Sequence, residues 1–252
     1  MKTLIVSLIL ILSACAPTSH VYVKSNQNGH NNMIREVVIM VEYLEIKEDS
    51  GEYWNFNENL NLLKQDELYM IAQKMLESKG YYLANKNLKT SGLITDRNLM
   101  LEHYVNNKLQ NEVISPPYIV RSINLDDKNI QGFEMLLAEL NQPISPAMVD
   151  LRSYVFSNFK SQMSDLNLSD DSAIFIIQVY KPKFSVFSNI NIGFTASSSG
   201  SSIGIGREHQ PPSSYAYLIH VGTGDVIWSN KISLITAGNQ AKFFKQLPFK
   251  QP

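Results

Sequence analysis

The stretch Glu36-Val-Val-Ile-Met-Val-Glu-Tyr-Leu-Glu-Ile46 decides the fold class of this chain. It is rich in β-branched and apolar residues, and its first half is apolar at consecutive positions. A strand that is apolar on both faces is typical of the covered centre of a sheet. The stretch therefore predicts a central strand, and the polar residues from Lys47 to Glu52 predict a turn or loop after it.

An amphipathic helix follows this strand. Between Gln65 and Lys79 the apolar residues recur at the spacing of one helix face, at Leu68, Ile71, Ala72, Met75 and Leu76. Gly80 stands where a helix C-cap is expected, and the segment from Tyr81 to Ala84 is extended in pattern. A strand, a helix and a second strand in this order predict a sheet with a helix on its face.

The C-terminal half carries the other strong strand patterns. Ala173 to Tyr180 predicts a buried strand that ends at the Lys-Pro-Lys sequence after it, or that runs on there as a sheet edge. Ser214–Val221 and Val226–Ser233 predict a hairpin around a turn in which Gly222 and Gly224 take positive φ, with Trp228 buried beyond it.

Three further segments have weaker patterns. Ser145-Pro146 predicts the start of a helix that ends near Ser164, and the alternation within 189–206 predicts a hairpin with a Ser/Gly-rich tip. Segment 85–141 is the least regular; within it Asn98–Tyr104 predicts a short helix and Gly132–Leu140 one or two helical turns.

Together these patterns predict an α/β (α+β) fold, a mixed sheet with helices on its face, in a single domain with a β-hairpin extension. We expect the domain to span 34–240, preceded by a flexible tether at 15–33 and followed by a C-terminal tail at 241–252. A short strand at Val21–Val23 is the alternative interpretation of the tether.

The first residues resemble the signal peptide of bacterial lipoproteins. Lys2 precedes an apolar run that is too short to remain as a membrane span, and Leu12-Ser13-Ala14-Cys15 matches the lipobox read by lipoprotein signal peptidase. The resemblance implies that 1–14 is removed between Ala14 and Cys15, and that Cys15 carries acyl chains that hold the protein to a bilayer. An ordinary signal peptide is the alternative. Cys15 is the only cysteine, so the chain has no disulfide within it.

Ala16 follows this cysteine. In enterobacterial-type sorting an Asp at that position retains a lipoprotein in the inner membrane, so the resemblance implies the outer membrane, facing the periplasm. Different sorting rules or a surface-exposed orientation are the alternatives.

A second resemblance rests on the segment from Val221 to Ser229, Val-Gly-Thr-Gly-Asp-Val-Ile-Trp-Ser, and on the strand–helix–strand unit that contains Gly80. Both resemble the periplasmic lipoproteins with a CsgG-like or TolB amino-terminal-like α/β domain, the LpoB-type fold group. His220 departs from that group, which often has Asp near this position. The resemblance implies a fold and carries no activity with it.

Patterns of catalytic chemistry are weak in this chain. The five histidines lack the spacing of metal ligands, and the sequence has neither a phosphate-binding loop nor a Gly-x-Ser-x-Gly elbow, so we expect no metal and no cofactor. Asp165, Asp170 and Asp171 are interpreted as a solvated loop more readily than as a carboxylate cluster. The strand aromatics could form a binding face or simply core: Tyr81, Tyr82, Tyr215, Tyr217 and Trp228.

The charge composition of the chain disfavours nucleic acid as a partner. The chain of 252 residues has 22 Lys and Arg against 23 Asp and Glu, which lacks the basic excess of a nucleic-acid binder. We expect a lipid-anchored, non-enzymatic envelope assembly or protein-binding factor, whose partner is an envelope protein or a second copy. An envelope enzyme with its site in 85–141, and a secretion-pore component that uses the 189–206 hairpin, are the alternatives.

Overall fold

The computed structural model describes residues 20–23, 34–49, 53–91, 98–115, 121–122, 160, 168–183, 212–232 and 234–250. The described elements are ten strands and two helices: β1 (His20–Val23), β2 (Glu36–Asp49), β3 (Tyr53–Asn57), α1 (Glu58–Ser78), β4 (Leu83–Ser91), β5 (Asn98–Val105), β6 (Lys108–Ile114), β7 (Arg121–Ser122), β8 (Ser172–Lys183), β9 (Ser213–His220), β10 (Val226–Ile232) and α2 (Gln240–Phe243). The strands form one mixed sheet with α1 on one face, which confirms the α/β fold class.

Strands β2 and β8 form the centre of the sheet. They pair in parallel from Glu36↔Ser172 to Lys47↔Lys183, and their apolar residues are buried on both faces. Strands β9, β10 and β1 follow in antiparallel order on the β8 side. The predicted central strand, the predicted strand at 173–180 and the predicted hairpin at 214–233 are therefore confirmed.

The other side of β2 is divided between two neighbours. Its first half pairs in parallel with β4, from Val37↔Leu83 to Glu42↔Thr90, and its last residues pair antiparallel with β3, from Ile46↔Phe56 to Asp49↔Tyr53. The sheet thus forks beside Tyr43–Glu45. Strand β2 continues to Asp49, so the turn predicted from Lys47 begins too early; antiparallel pairing with β3 extends the strand.

Beyond the fork, β3 pairs in parallel with β5, and β5 pairs antiparallel with β6. The helix predicted at Asn98–Tyr104 is therefore wrong. Leu99 and Leu101 are both buried beside Trp54 and Phe56 of β3, and a two-residue period places them on one face only in a strand. Neighbours distant in sequence decide the conformation of this short apolar run.

Helix α1 begins seven residues before its predicted start, since it is Glu58–Ser78. Asn57 caps it, because its side-chain oxygen accepts a hydrogen bond from Leu60 N at 2.8 Å. The helix ends where Gly80 takes a φ of +82°, as expected for a C-cap glycine. Leu68, Ala72 and Leu76 are buried against the sheet.

Two clusters of buried side chains hold α1 and the fork against the central strands. The larger cluster lies under α1 and includes Val37, Ile39, Phe175, Leu218 and Trp228. The smaller cluster lies at the fork, on the opposite face of the sheet, and comprises Leu44, Ile46, Trp54, Phe56, Leu99, Leu101 and Tyr180. Complete burial of a side chain of this size contributes about 1.5–3 kcal/mol, so the smaller cluster holds the β3–β5–β6 part of the sheet in place.

Residues near both ends of the described chain, in the segments expected to be a tether and a tail, are part of the folded domain. Strand β1 pairs with β10, from His20↔Lys231 to Val23↔Trp228, so the strand interpretation of Val21–Val23 is the observed one. Within the expected tail, Phe243, Phe244 and Leu247 are buried in the larger cluster, and Lys250 N donates to Lys79 O at 2.9 Å. The packed domain therefore extends past residue 240.

Several predicted elements lie outside the described residues. They are the helical turns at Gly132–Leu140, the helix from Ser145 to Ser164 apart from Lys160, and the 189–206 hairpin.

Candidate functional site

The β5–β6 hairpin lies at one end of the sheet and is the most exposed part of the described fold. Its turn, Asn106-Asn107, has φ values of +51° and +62°, which two-residue hairpin turns require and which asparagine tolerates. The strands pair without a register shift, with Met100 opposite Val113 and Tyr104 opposite Leu109. Successive residues of each strand therefore alternate regularly between the two faces of the hairpin.

The two faces of this hairpin have different environments. On one face Leu99 and Leu101 belong to the smaller core cluster, and Ile114 packs against it. The other face carries two apolar pairs, Met100–Val113 and Tyr104–Leu109, on either side of the polar pair Glu102–Asn111; we call the four apolar side chains the hairpin row. Tyr104, Leu109 and Val113 are 58%, 53% and 51% exposed, and Met100 is half-buried. Grouped exposed apolar residues of this size are typical of an interaction surface.

The outer edge of β6 is open. Within the described ranges, β6 pairs with β5 alone, and the side chains from Lys108 to Val113 are all exposed. Residues that flank a two-residue turn form a hydrogen-bonded pair, and such pairs alternate along an antiparallel ladder. The backbone N–H and C=O groups of Leu109, Asn111 and Val113 therefore point outward. Strand β6 has no proline and no bulge, two of the devices that block edge pairing, and its charged residues are limited to Lys108 and Glu112.

Asn61 holds the fork from which this part of the sheet extends. The side chain is fully buried; its Oδ1 accepts from Glu45 N at 2.7 Å, and its Nδ2 donates to Glu45 O at 3.1 Å and to Asn57 O at 2.8 Å. On this side of β2, pairing with β4 ends at Glu42 and pairing with β3 starts at Ile46, so the Asn61 amide takes the place of a neighbouring strand for the backbone of Glu45. Asn57 adds a link, because its Nδ2 donates to Glu102 of β5 at 3.1 Å.

A group of charged side chains surrounds Glu45, near the carboxyl ends of the parallel strands β2 and β8. This buried carboxylate accepts hydrogen bonds from Tyr43 at 2.7 Å, from Lys181 at 2.9 Å, and from Lys183. Burial raises the pKa of Glu45, but the hydrogen bonds from Lys183, Tyr43 and Lys181 outweigh it and lower this pKa to about 2. Burial and the neighbouring carboxylate raise the pKa of Tyr43. A carboxylate this acidic is a poor proton acceptor near neutral pH, so the group holds strands together rather than carrying acid–base chemistry.

The sequence-predicted site residues are widely separated. Ala14 and Cys15 lie outside the described residues. Gly224 has a φ of +70°, as predicted for the turn. The positive φ predicted for Gly222 is wrong; glycine is needed there for space, because a Cβ would lie 2.8 Å from Asp170 O. Trp228 is fully buried, stacks on Phe175 with ring centroids 5.9 Å apart, and donates to Lys245 O at 3.2 Å.

The other candidate groups of the sequence do not converge. Asp170 pairs with Lys160 at 2.7 Å and Asp171 with Arg35 at 3.3 Å on the surface, while Asp165 lies outside the described residues. Tyr81 and Tyr217 are core residues. Tyr215 is half-buried and stacks on Tyr217 with ring centroids 6.3 Å apart, whereas Tyr82 is 70% exposed beneath Lys250.

Among the described residues, no group of three or more His, Cys, Asp or Glu side chains could hold a metal ion. His220 is buried, and its Nδ1 lies 3.3 Å from Thr223 Oγ1. Of segment 85–141, the structure describes 85–91, 98–115 and 121–122, which supply β4 to β7.

Sequence reasoning missed the hairpin row and Asn61. The alternation around Val105-Asn106-Asn107-Lys108 is a hairpin signal that could have revealed the row, and the aromatic–polar alternation of Tyr53–Asn57 could have revealed β3. Asn61 has no such signal, since its role depends on the end of a distant strand.

None of the described helices is both long and apolar enough to serve as a membrane span. Comparison of the chain with models of protein families, with curated proteins and with solved structures found no match.

Proposed function

We propose that this chain is a lipoprotein anchored through acylated Cys15 to the bacterial outer membrane, facing the periplasm, where it acts as a non-enzymatic protein-binding or assembly factor of the cell envelope. The observation that carries the proposal is the exposed hairpin row on an open strand edge. Surfaces of this kind support strand addition, in which backbone hydrogen bonds give affinity and side chains give specificity.

The position of this edge relative to the anchor supports the proposal. The strand order is β1-β10-β9-β8-β2-β3-β5-β6, so β1 and β6 stand at opposite ends of this path. With strands about 4.8 Å apart, the path between these edges is roughly 34 Å long, before sheet twist shortens it. In a domain held at its β1 end, the lipid anchor would therefore leave the β6 edge accessible.

The pairing of β1 also shortens the connection to the anchor. Because β1 begins at His20, residues 16–19 alone separate it from Cys15. Five Cα steps span at most about 18 Å. The acylated cysteine would therefore hold the domain close to the bilayer by its β1 edge, in place of the longer tether expected from 15–33.

Anchoring is tested by fractionating cells that produce the wild-type chain or Cys15→Ser. The wild type should sediment with outer-membrane vesicles, and the variant should be released as a folded periplasmic protein. Retention of Cys15→Ser in the membrane after export would refute lipid anchoring.

Docking is tested by crosslinking in growing cells with two matched leucine variants. Leu109 of the hairpin row is 53% exposed and Leu63 of α1 is 56% exposed, so an Asp at either position has a similar effect on solubility. Leu109→Asp should abolish the crosslinked complexes of the wild type, whereas Leu63→Asp should preserve them. Recovery of the wild-type chain as a free monomer under all growth conditions would refute the protein-binding function.

A further inference from the structure

We propose that the occupant of the β6 edge is a second copy of this chain, paired antiparallel about a two-fold axis at Asn111. This inference rests on the proposed function, because it takes the hairpin row to be a docking surface. It adds the identity of the partner that docks there. A two-fold contact requires a surface that is complementary to itself, and β6 meets this requirement in hydrogen bonding, apolar pairing and charge.

The backbone of β6 favours this register. The outward-pointing groups belong to Leu109, Asn111 and Val113, at every second residue. With the axis at Asn111, Leu109 stands opposite the partner's Val113, and Asn111 opposite the partner's Asn111. These three residues of each copy then exchange up to about six hydrogen bonds. An axis at Gln110 would place Val113 opposite the partner's turn residue Asn107, so fewer hydrogen bonds would form between the two copies.

The apolar side chains also match in this register. Tyr104 is opposite Leu109 and Met100 is opposite Val113 within one copy. Placing Leu109 beside the partner's Val113 joins the two hairpin rows into continuous apolar rows across four strands. Leu109 and Val113 then each gain an apolar cross-strand neighbour, the arrangement that stabilises antiparallel sheets. An axis at Gln110 would instead place Leu109 opposite the polar Asn111.

The opposite face of the hairpin is complementary in charge. Lys108, Gln110 and Glu112 are exposed there. With the axis at Asn111, Gln110 stands opposite the partner's Glu112, and Lys108 is diagonal to that same carboxylate. No like charges stand directly opposite each other, so this face favours the register as well.

Anchoring strengthens an otherwise small contact. Pairing of one seven-residue strand buries less surface than the roughly 1,200–2,000 Å² of a standard stable interface, so we expect weak association in dilute solution. Confinement of both copies to one membrane raises their effective concentration, which converts weak pairing into a populated dimer. The two-fold axis places the two β1 edges at opposite ends of the joined sheet, so both anchors reach the same bilayer when this sheet lies along the membrane surface.

The experiment uses the full chain in its membrane, with one cysteine introduced on β6. Acylation blocks Cys15, the natural cysteine, so Asn111→Cys supplies the free thiol. Across the proposed axis the two Cα atoms at position 111 lie about 5.5 Å apart, within disulfide reach. Glu102→Cys is the matched control, because Glu102 faces Asn111 on β5 and its two copies would be about 14 Å apart.

Mild oxidation should convert most of the Asn111→Cys protein to a disulfide-linked dimer, because its two thiols are within disulfide reach. It should convert less than about a tenth of the Glu102→Cys protein, because those two positions are too far apart. Adding Leu109→Asp to Asn111→Cys should lower the dimer yield at least about tenfold through loss of the apolar pairing, whereas adding Leu63→Asp should leave it unchanged. Circular dichroism of each purified variant checks that it is folded.

The inference would be overturned if folded, membrane-bound Asn111→Cys formed no dimer, if Glu102→Cys formed an equal amount of dimer, or if position 111 crosslinked to a different protein. Dimer from Gln110→Cys in place of Asn111→Cys would overturn the register and with it the proposal. Fractionation of the same samples reports anchoring separately. A protein that is anchored and crosslinks to another envelope protein would refute the dimer and leave the proposed function standing.

Discussion

Replacing Asn61 by alanine should destabilise the fold far more than the loss of one asparagine usually does. The side chain is fully buried and is the observed hydrogen-bond partner of both Glu45 N and Glu45 O. Leaving a buried backbone group unpaired costs about 1–3 kcal/mol, so two such groups give about 2–6 kcal/mol, with about 4 kcal/mol as the central expectation. Asn57→Ala, which removes a helix cap, should cost about 1 kcal/mol, and Asn111→Ala on the exposed edge less than about 0.5 kcal/mol.

Urea unfolding of the three variants measures these differences in the free energy of unfolding. Hydrogen exchange adds a local readout, because the amide of Glu45 should lose its protection in Asn61→Ala and keep it in Asn57→Ala. If Asn61→Ala were as stable as Asn111→Ala, the side-chain amide would not be the support of the fork. The β3–β5–β6 part of the sheet would then be held by the smaller core cluster alone.

Two further predictions follow from the described contacts. The pKa of Glu45 is lowered to about 2 in the fold from an ordinary 4.5, so its stabilising effect is complete above about pH 4.5 and is lost as the pH falls to about 2. In urea unfolding, the difference in free energy of unfolding between wild type and Glu45→Gln should therefore shrink towards pH 2. A difference that stayed constant with pH would contradict this pKa. Gly222→Ala should destabilise the fold by about 1–3 kcal/mol because its methyl group would meet Asp170 O, and Gly224→Ala by about 1–2 kcal/mol because residue 224 has a positive φ. Thermal unfolding measures both losses. If a change of the Asp170 side chain alone restored the stability of Gly222→Ala, the clash would not be with the backbone.

Elements with strong local patterns were predictable from the chain. The apolar run in β2, the helical spacing in α1 and the Gly-Thr-Gly-Asp turn after β9 each indicate their structure within one short window, and each is observed. Weak windows gave wrong or missing elements. Asn98–Tyr104 has the apolar content of a short helix, and it becomes a strand because β3 and β6 pair with it on both sides.

The candidate site illustrates the same division. Tyr104, Leu109 and Val113 are ordinary strand residues in the sequence, and nothing local says that one face of their hairpin stays exposed. Their exposure follows from the position of β6 as the last strand beyond the fork. Glu45 is likewise an ordinary acidic residue until the parallel pairing of β2 and β8 brings Lys181 and Lys183 beside it.

The sequence by itself determined the fold class, the central strands, the principal helix and the C-terminal hairpin, because periodicity and turn chemistry act between near neighbours along the chain. It also contains the segment Leu12-Ser13-Ala14-Cys15, whose resemblance to a lipobox is the basis of the proposed anchoring. The tertiary structure alone decided the fork at Glu45, the order of the strands and hence which edge is open. These features depend on pairings between residues tens to more than a hundred positions apart, such as Glu36 with Ser172, and no local pattern specifies such pairings.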